Sequence, residues 1–219
     1  MEFPRLVVLA ADQVDFASHV SRPIVGPRGT KDGPFVAVAT GHDGKSFVLA
    51  PRTDKRSDEA LVARATATTQ AQTWSWSVAE TSGFLFWKSP SLLRGMGDPL
   101  VPVPQMATDG GGIDDLATEL LLIPAAMEEA SRLLGAAEIY AVVPKRGWLL
   151  VARGQGGMPL APQTLHQAAR GIAERAGRSI ITGNVALVIK QGHLAGADRR
   201  EGNKGSLSLQ GADESAWWP

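Results

Sequence analysis

The amino-acid sequence predicts an α+β fold, in which a mostly antiparallel sheet is built from β-hairpins and helices pack on one face of it. One pattern carries this prediction: three times, a short amphipathic stretch accompanies two apolar runs joined by a turn. The composition agrees, because 44% hydrophobic and 20% charged residues are typical of a folded globular chain. The length of 219 residues fits one large domain or two small lobes.

The chain begins with a predicted strand and a hairpin. Residues 6–9 are an apolar run, and residues 20–34 are rich in proline and glycine, as is typical of a loop. Two β-rich runs then follow, at 35–38 and 47–49, on either side of a Gly/Asp turn at 41–44. This arrangement indicates the first antiparallel hairpin.

A helix is predicted after this hairpin. Ser57 is a plausible N-cap, and Asp58 and Glu59 lie in the first turn, where the helix dipole favours acidic side chains. The apolar residues at helical spacing are Leu61, Val62 and Ala65.

The second predicted hairpin is aromatic. Its strands are the runs 73–78 and 84–87, separated by a short Gly-containing turn. The first run alternates with a period of two, so Trp74, Trp76 and Val78 should share one face of the sheet.

Glycine and proline divide the chain into predicted lobes. Residues 94–112 hold several of both and are interpreted as a linker between an N-terminal lobe, 1–93, and a C-terminal lobe, 113–191. Residues 192–219 carry few apolar side chains and are interpreted as a polar tail that ends in Trp217-Trp218.

The C-terminal lobe opens with an apolar run at 120–123, whose length does not decide between a strand and the end of a helix. Pro124 suits the first position of the following helix, and Gly135 suits its end. A third hairpin is predicted from the runs 138–143 and 148–152. A helix that Pro162 opens and Gly177 closes, and a strand at 185–189, complete the lobe.

Residues 116–153 resemble a bacterial family of unknown function. The resemblance rests on Leu120-Leu121-Leu122-Ile123-Pro124, on a helix ending in Leu133-Leu134-Gly135, and on the hairpin tip at 142–146. In that family an LLLP segment precedes a helix and a hairpin tip of the type VPNRD, where this chain has Lys145 and Gly147 in place of Asn and Asp. The resemblance implies a fold and a bacterial origin, and it implies no site.

Cofactors and metals are not expected. The chain has no cysteine, which excludes disulfides and thiolate ligands. Its four histidines are spread along the chain, whereas zinc sites commonly use two ligands at close spacing. No apolar run approaches the roughly 20 residues of a membrane-spanning helix, and the N-terminus lacks a signal-peptide pattern. We therefore expect a cytoplasmic protein without a membrane partner.

Two chemistries compete as minor hypotheses. A hydrolase could use the scattered groups Asp12, Asp15, His19 and His42 as acids and bases. Alternatively, the hairpin at 144–153 could bind an anion or RNA. In that case Lys145 and Arg146 would supply charge and Trp148 would supply a stacking surface. A formal net charge of zero disfavours a dedicated nucleic-acid binder.

Clustered aromatic residues favour a third function, namely binding of another protein. Tryptophan is enriched at the energetic centres of protein interfaces. The predicted partner-binding residues are Trp74, Trp76, Phe86, Trp87, Trp217 and Trp218. The leading hypothesis is therefore a non-enzymatic bacterial accessory or adaptor protein that acts through protein contacts.

Overall fold

In a computed structural model, the described residues form two antiparallel sheets and three α-helices. The structure describes residues 2–24, 34–42, 46–81, 90–97, 116–153, 161–175, 181–182, 185–200 and 207–211. The predicted α+β class and the antiparallel pairing are confirmed.

The elements follow in chain order. The strands are β1 Arg5–Leu9, β2 Ser21–Pro23, β3 Phe35–His42, β4 Phe47–Leu49, β5 Trp74–Thr81, β6 Pro90–Gly97, β7 Glu138–Val142, β8 Leu149–Arg153, β9 Val185–Lys190, β10 His193–Arg200 and β11 Leu207–Gly211. The helices are α1 Lys55–Gln70, α2 Pro124–Leu134 and α3 Ala161–Arg175, with short 3-10 helices at Ala11–Gln13 and Leu116–Leu122.

The smaller sheet contains the first four strands. Its order is β1-β3-β2, and β4 also pairs with β3. The predicted hairpin of β3 and β4 is confirmed. Strand β1 therefore lies at one end of this sheet, with one of its two edges turned away from β3.

The larger sheet has the order β11-β10-β9-β7-β8-β6-β5. Strand β6 pairs with β5 on one side and with β8 on the other. The prediction of a linker at 94–112 is wrong for its first four residues, because residues 94–97 lie inside β6. Residues 98–112 lie outside the described residues. Strands on both sides of that predicted linker belong to this one sheet.

The predicted polar tail is also corrected. Residues 193–200 form β10, which pairs with β9, and residues 207–211 form β11, which pairs with β10. Composition concealed these strands, because both are rich in polar residues and glycine and are held by backbone pairing, β11 at the edge of the sheet and β10 between β11 and β9. Residues 212–219 lie outside the described residues.

Helices cover both faces of the larger sheet, where the sequence predicted one face. Leu149 and Val151 of β8 pack in a core that includes α2, whereas Leu150 and Ala152 pack against α3. Because side chains alternate along a strand, these two pairs point to opposite faces. The prediction failed because a buried strand that is apolar on both sides looks like one continuous apolar run.

The main core lies between the two sheets. Leu6 and Val8 of β1 belong to the same cluster of buried residues as Leu187 and Ile189 of β9. The 3-10 helix Leu116–Leu122 is buried along its whole length and packs against β1, β6 and α2. This short helix resolves the ambiguity of the run at 120–123, because it is neither a strand nor the end of an α-helix.

Two helix ends show how local chemistry sets element boundaries. The N-cap of α1 is Asp54 and not Ser57: the Ser57 backbone N–H and hydroxyl donate to the Asp54 carboxylate at 3.0 and 2.7 Å. These bonds, the one from the hydroxyl above all, hold the pKa of Asp54 below its usual value. Helix α2 begins at Pro124 and ends at Gly135, whose positive φ of 63° forms a left-handed cap, as predicted.

Gly97 allows β6 to pack directly on the buried 3-10 helix. A Cβ at this position would lie 2.6 Å from the carbonyl carbon of Leu116 and 2.9 Å from the backbone nitrogen of Ala117. Both atoms belong to the backbone of a buried element, which cannot easily shift. At Gly41 in β3, by contrast, a Cβ would meet only the Val48 side chain, at an ordinary 3.8 Å.

We therefore expect Gly97→Ala to destabilise the protein by about 1–3 kcal/mol through overpacking. The control Gly41→Ala should change the free energy of unfolding by no more than about 0.5 kcal/mol. Urea unfolding followed by circular dichroism measures both. Equal stabilities of the two variants would contradict the close contact between β6 and the 3-10 helix.

Candidate functional site

Side chains close the outer edge of β1. The Leu6 N–H donates to Thr69 Oγ1 at 2.8 Å, and the Val8 N–H donates to Glu119 Oε1 at 3.2 Å. On the same edge, Arg146 Nη1 donates to the Val8 carbonyl at 3.3 Å. The backbone groups that a further strand would use are thus occupied by α1, by the 3-10 helix and by the β7–β8 turn.

Glu119 and Arg146 form a buried ion pair at this edge. Arg146 Nη2 lies 2.7 Å from Glu119 Oε1, and the side chains are 14% and 0% exposed. The Arg146 guanidinium also stacks over the Phe47 ring at 3.9 Å. Arg146, predicted to bind an external anion, is therefore neutralised by a carboxylate of its own chain, and it joins the large sheet to the small one.

Three of the four groups in the hydrolase hypothesis, namely Asp15, His19 and His42, have local partners. The Ser18 hydroxyl and the Ala17 N–H donate to the Asp15 carboxylate at 2.6 and 3.0 Å and hold its pKa below its usual value. A ring nitrogen of His19 lies 3.1 Å from the Asp15 carbonyl, and His42 packs edge-on against Phe47. Asp12 lies exposed in the first 3-10 helix. Within the described ranges, no three His, Asp or Glu side chains are grouped as metal ligands.

Two predicted partner-binding tryptophans lie on β5 and are half-buried on the chain's own core. Trp74 and Trp76 pack against the main cluster, and the Trp76 indole N–H donates to the Ala126 carbonyl of α2 at 3.1 Å. Val78, on the same face two residues further along, is 57% exposed. Helix α2 thus covers this face of β5 as far as Trp76 and leaves Val78 exposed.

Strand β5 ends the larger sheet. It pairs with β6, and no described strand pairs with its other edge. The register with β6 is regular from Trp74 to Val78 and shifts between Val78 and Glu80. A regular edge of five residues therefore precedes a bulge, which is a feature that commonly ends pairing.

Lys145, the other basic residue of the hairpin tip, and Arg94 of β6 both lie beside Trp148. Arg94 of β6 stacks over the Trp148 ring at 3.7 Å from guanidinium carbon to ring centroid, and Lys145 Nζ lies 5.8 Å from the same centroid. Sequence reasoning found Lys145 and Trp148 and missed Arg94, because 50 residues separate it from the tip's Pro144 and only the pairing of β6 with β8 brings it near.

Four predicted site residues, Phe86, Trp87, Trp217 and Trp218, lie outside the described residues. In the part of the chain that the structure describes, no helix has the length and apolar character needed to cross a bilayer.

No protein-family model matches the chain, and no significant match is found among curated proteins or among solved structures. The resemblance of residues 116–153 to a bacterial family therefore stays a prediction.

Replacing Arg146 by methionine should cost about 3–5 kcal/mol, because it leaves the Glu119 carboxylate buried without its counter-charge. Adding Glu119→Gln to this variant should recover part of the loss, since a neutral amide still accepts from Val8. Arg132→Met is the control: its ion pair with Glu129 lies on the surface, so stability should change little. Urea unfolding curves of these variants provide the measurement, and an Arg146→Met variant as stable as Arg132→Met would refute the role of the pair.

Proposed function

We propose that this chain is a non-enzymatic accessory or adaptor protein that binds another protein by accepting one of its extended segments along the outer edge of β5. In this mode, main-chain hydrogen bonds supply affinity, and the side chains that flank the edge supply specificity. The regular stretch from Trp74 to Val78 is the proposed docking segment.

The main support for this proposal is a difference between the outer edges of β1 and β5. Unpaired strand edges invite further pairing, and proteins usually block them. At β1, the side chains of Thr69, Glu119 and Arg146 take up backbone groups of the edge. At β5, no described side chain or strand does the same. This difference supports β5 as the edge that receives a partner.

The side chains around β5 suit an incoming strand with apolar residues. Val78 is 57% exposed, beside the half-buried Trp76 on one face of the sheet. On the other face, Met96 of β6 is 36% exposed and pairs in register with Ser75 of β5. An apolar side chain of a partner strand could therefore contact Val78 directly on one face, which adds burial to the backbone hydrogen bonds. On the other face, a long apolar side chain could extend over Ser75 towards Met96, which lies one strand further from the edge.

The enzyme alternative receives less support. The Asp15 carboxylate accepts hydrogen bonds from the turn that contains it, and the Arg146–Glu119 pair joins the two sheets. These contacts give the groups a structural role that needs no catalytic function to explain it.

Val78→Glu should remove partner binding, because the added carboxylate lies where an apolar contact is needed. The control is Val48→Glu, since Val48 is similarly exposed, at 49%, on β4 of the smaller sheet. Affinity purification from the native host, with wild type and both variants compared by quantitative mass spectrometry, measures the effect. A protein retained by wild type and by Val48→Glu, and lost with Val78→Glu, is the expected result.

Light scattering during size-exclusion chromatography identifies the occupant. A monomeric wild type together with the pattern above indicates a different protein as the partner. If the wild type is a dimer and Val78→Glu is a monomer, the partner is a second copy of this chain. In that case β5 is still the docking edge, but the partner is not a different protein. Equal capture by Val78→Glu and Val48→Glu, without any change of oligomeric state, refutes β5 as the docking edge.

A further inference from the structure

We infer that Arg94, Trp148 and Lys145 form a binding site for a phosphate monoester, on the face of the larger sheet against which α3 packs. This site is separate from the β5 edge and does not depend on the proposed adaptor function. We call these three residues the cation–aromatic cluster.

Strand alternation places the cluster on one surface. Arg94 pairs in register with Leu150, whose side chain packs in the core beneath α3. Trp148 precedes Leu150 by two positions and packs against the same core. Because residues that pair across an antiparallel ladder share a face, Arg94 and Trp148 lie side by side on it. Lys145 belongs to the β7–β8 turn, which is closed by a hydrogen bond from the Trp148 N–H to the Lys145 carbonyl at 3.1 Å.

The polar groups of the cluster are all hydrogen-bond donors. Arg94 Nε and Trp148 Nε1 are both buried, and neither has a hydrogen-bond partner among the described residues. Nε is bonded to the guanidinium carbon that stacks on the indole, so both donors lie within one stack. A buried donor without an acceptor can mark a place for a ligand, an ion or a water molecule. Other arginine Nε atoms of the described residues, among them those of Arg146 and Arg153, are in the same state, so the Trp148 indole N–H is the donor that distinguishes this cluster. The missing partner must be an acceptor.

Charge selects an anionic acceptor. Among the described residues, neither Arg94 nor Lys145 has a carboxylate within ion-pair distance, whereas Lys55, Arg132, Arg146 and Lys190 each have one. A phosphate monoester carries about −1.5 to −2 charges at pH 7 and three acceptor oxygens. It therefore matches the two cations in charge, and it supplies the acceptor oxygens that the donors of the cluster lack.

The cluster is also pre-organised. Stacking on the indole restricts the Arg94 guanidinium, so less side-chain entropy is lost when it binds an oxyanion. Trp148 is itself held by the core beneath α3. The same oxyanion could belong to a free phosphorylated metabolite or to a phosphorylated side chain of a protein.

Titration of the ¹⁵N-labelled protein with phenyl phosphate, monitored at the indole N–H resonances, tests the proposal. Trp148→Phe identifies the Trp148 resonance by its disappearance. The chemical shift of that resonance should change as phenyl phosphate is added and then reach a plateau. Arg94→Gln should weaken binding at least about tenfold, because it removes a charge-assisted hydrogen bond. Lys145→Gln should also weaken it. The matched controls are Arg64→Gln and Lys55→Gln on the exposed surface of α1, and these should bind as wild type does.

Affinity should also rise between pH 5 and pH 7.5. The second proton of a phosphate monoester dissociates near pH 6, so the ligand gains negative charge over this range. Comparing inorganic phosphate and a short phosphoserine peptide with phenyl phosphate distinguishes the sources. Tighter binding of the peptide indicates a phosphorylated protein, and equal or tighter binding of the small phosphates indicates a free metabolite.

Three results would overturn the site: no saturable shift of the Trp148 resonance, equal affinity of Arg94→Gln and Arg64→Gln, or equally tight binding of chloride at matched ionic strength. Val78→Glu should bind phenyl phosphate normally, so failure of the adaptor proposal and failure of this one remain distinguishable. Circular dichroism melts of each variant separate loss of binding from loss of the fold.

Discussion

The packing of the two sheets depends on one buried carboxylate, that of Glu119, which accepts a hydrogen bond from the outer edge of β1. Glu119 lies on a 3-10 helix between the two sheets, accepts from the Val8 backbone of one sheet and pairs with Arg146 from a turn of the other. Burying one of these charges alone would be strongly unfavourable, so the two sheets and the helix between them must come together as one arrangement. The same contacts remove β1 as a possible docking edge.

This constraint explains why the two exposed features of the larger sheet differ from the sites that the sequence suggested. Arg146 is used in the interior, so the hairpin tip contributes only Lys145 and Trp148 to any external ligand, with Arg94 supplied by the neighbouring strand. The tryptophans of β5 are partly used by the core, so the proposed contact with a protein moves from the rings to the strand edge and to Val78. Within the same short segments, some side chains thus stabilise the fold and others are available for the proposed binding.

Elements with local signals could be predicted from the sequence, and elements set by distant contacts could not. The hairpin of β7 and β8 and the ends of α2 followed from apolar runs, Pro124 and Gly135, because each signal acts within a few residues. Strand β10 is polar and is held by backbone pairing with β9, which composition does not record. The partnership of Glu119 with Arg146, and of Arg94 with Trp148, depends on sheet order, which no spacing in the sequence reveals.

Amide hydrogen exchange, resolved by residue, tests the central claim that one sheet edge is closed by side chains and the other is open. The Leu6 and Val8 amides should exchange as slowly as those of the core strand β9, because Thr69 and Glu119 accept hydrogen bonds from them. Alternate amides between Trp74 and Val78 should exchange rapidly in the isolated protein. Rapid exchange at Leu6 and Val8, or uniform protection along β5, would contradict this claim.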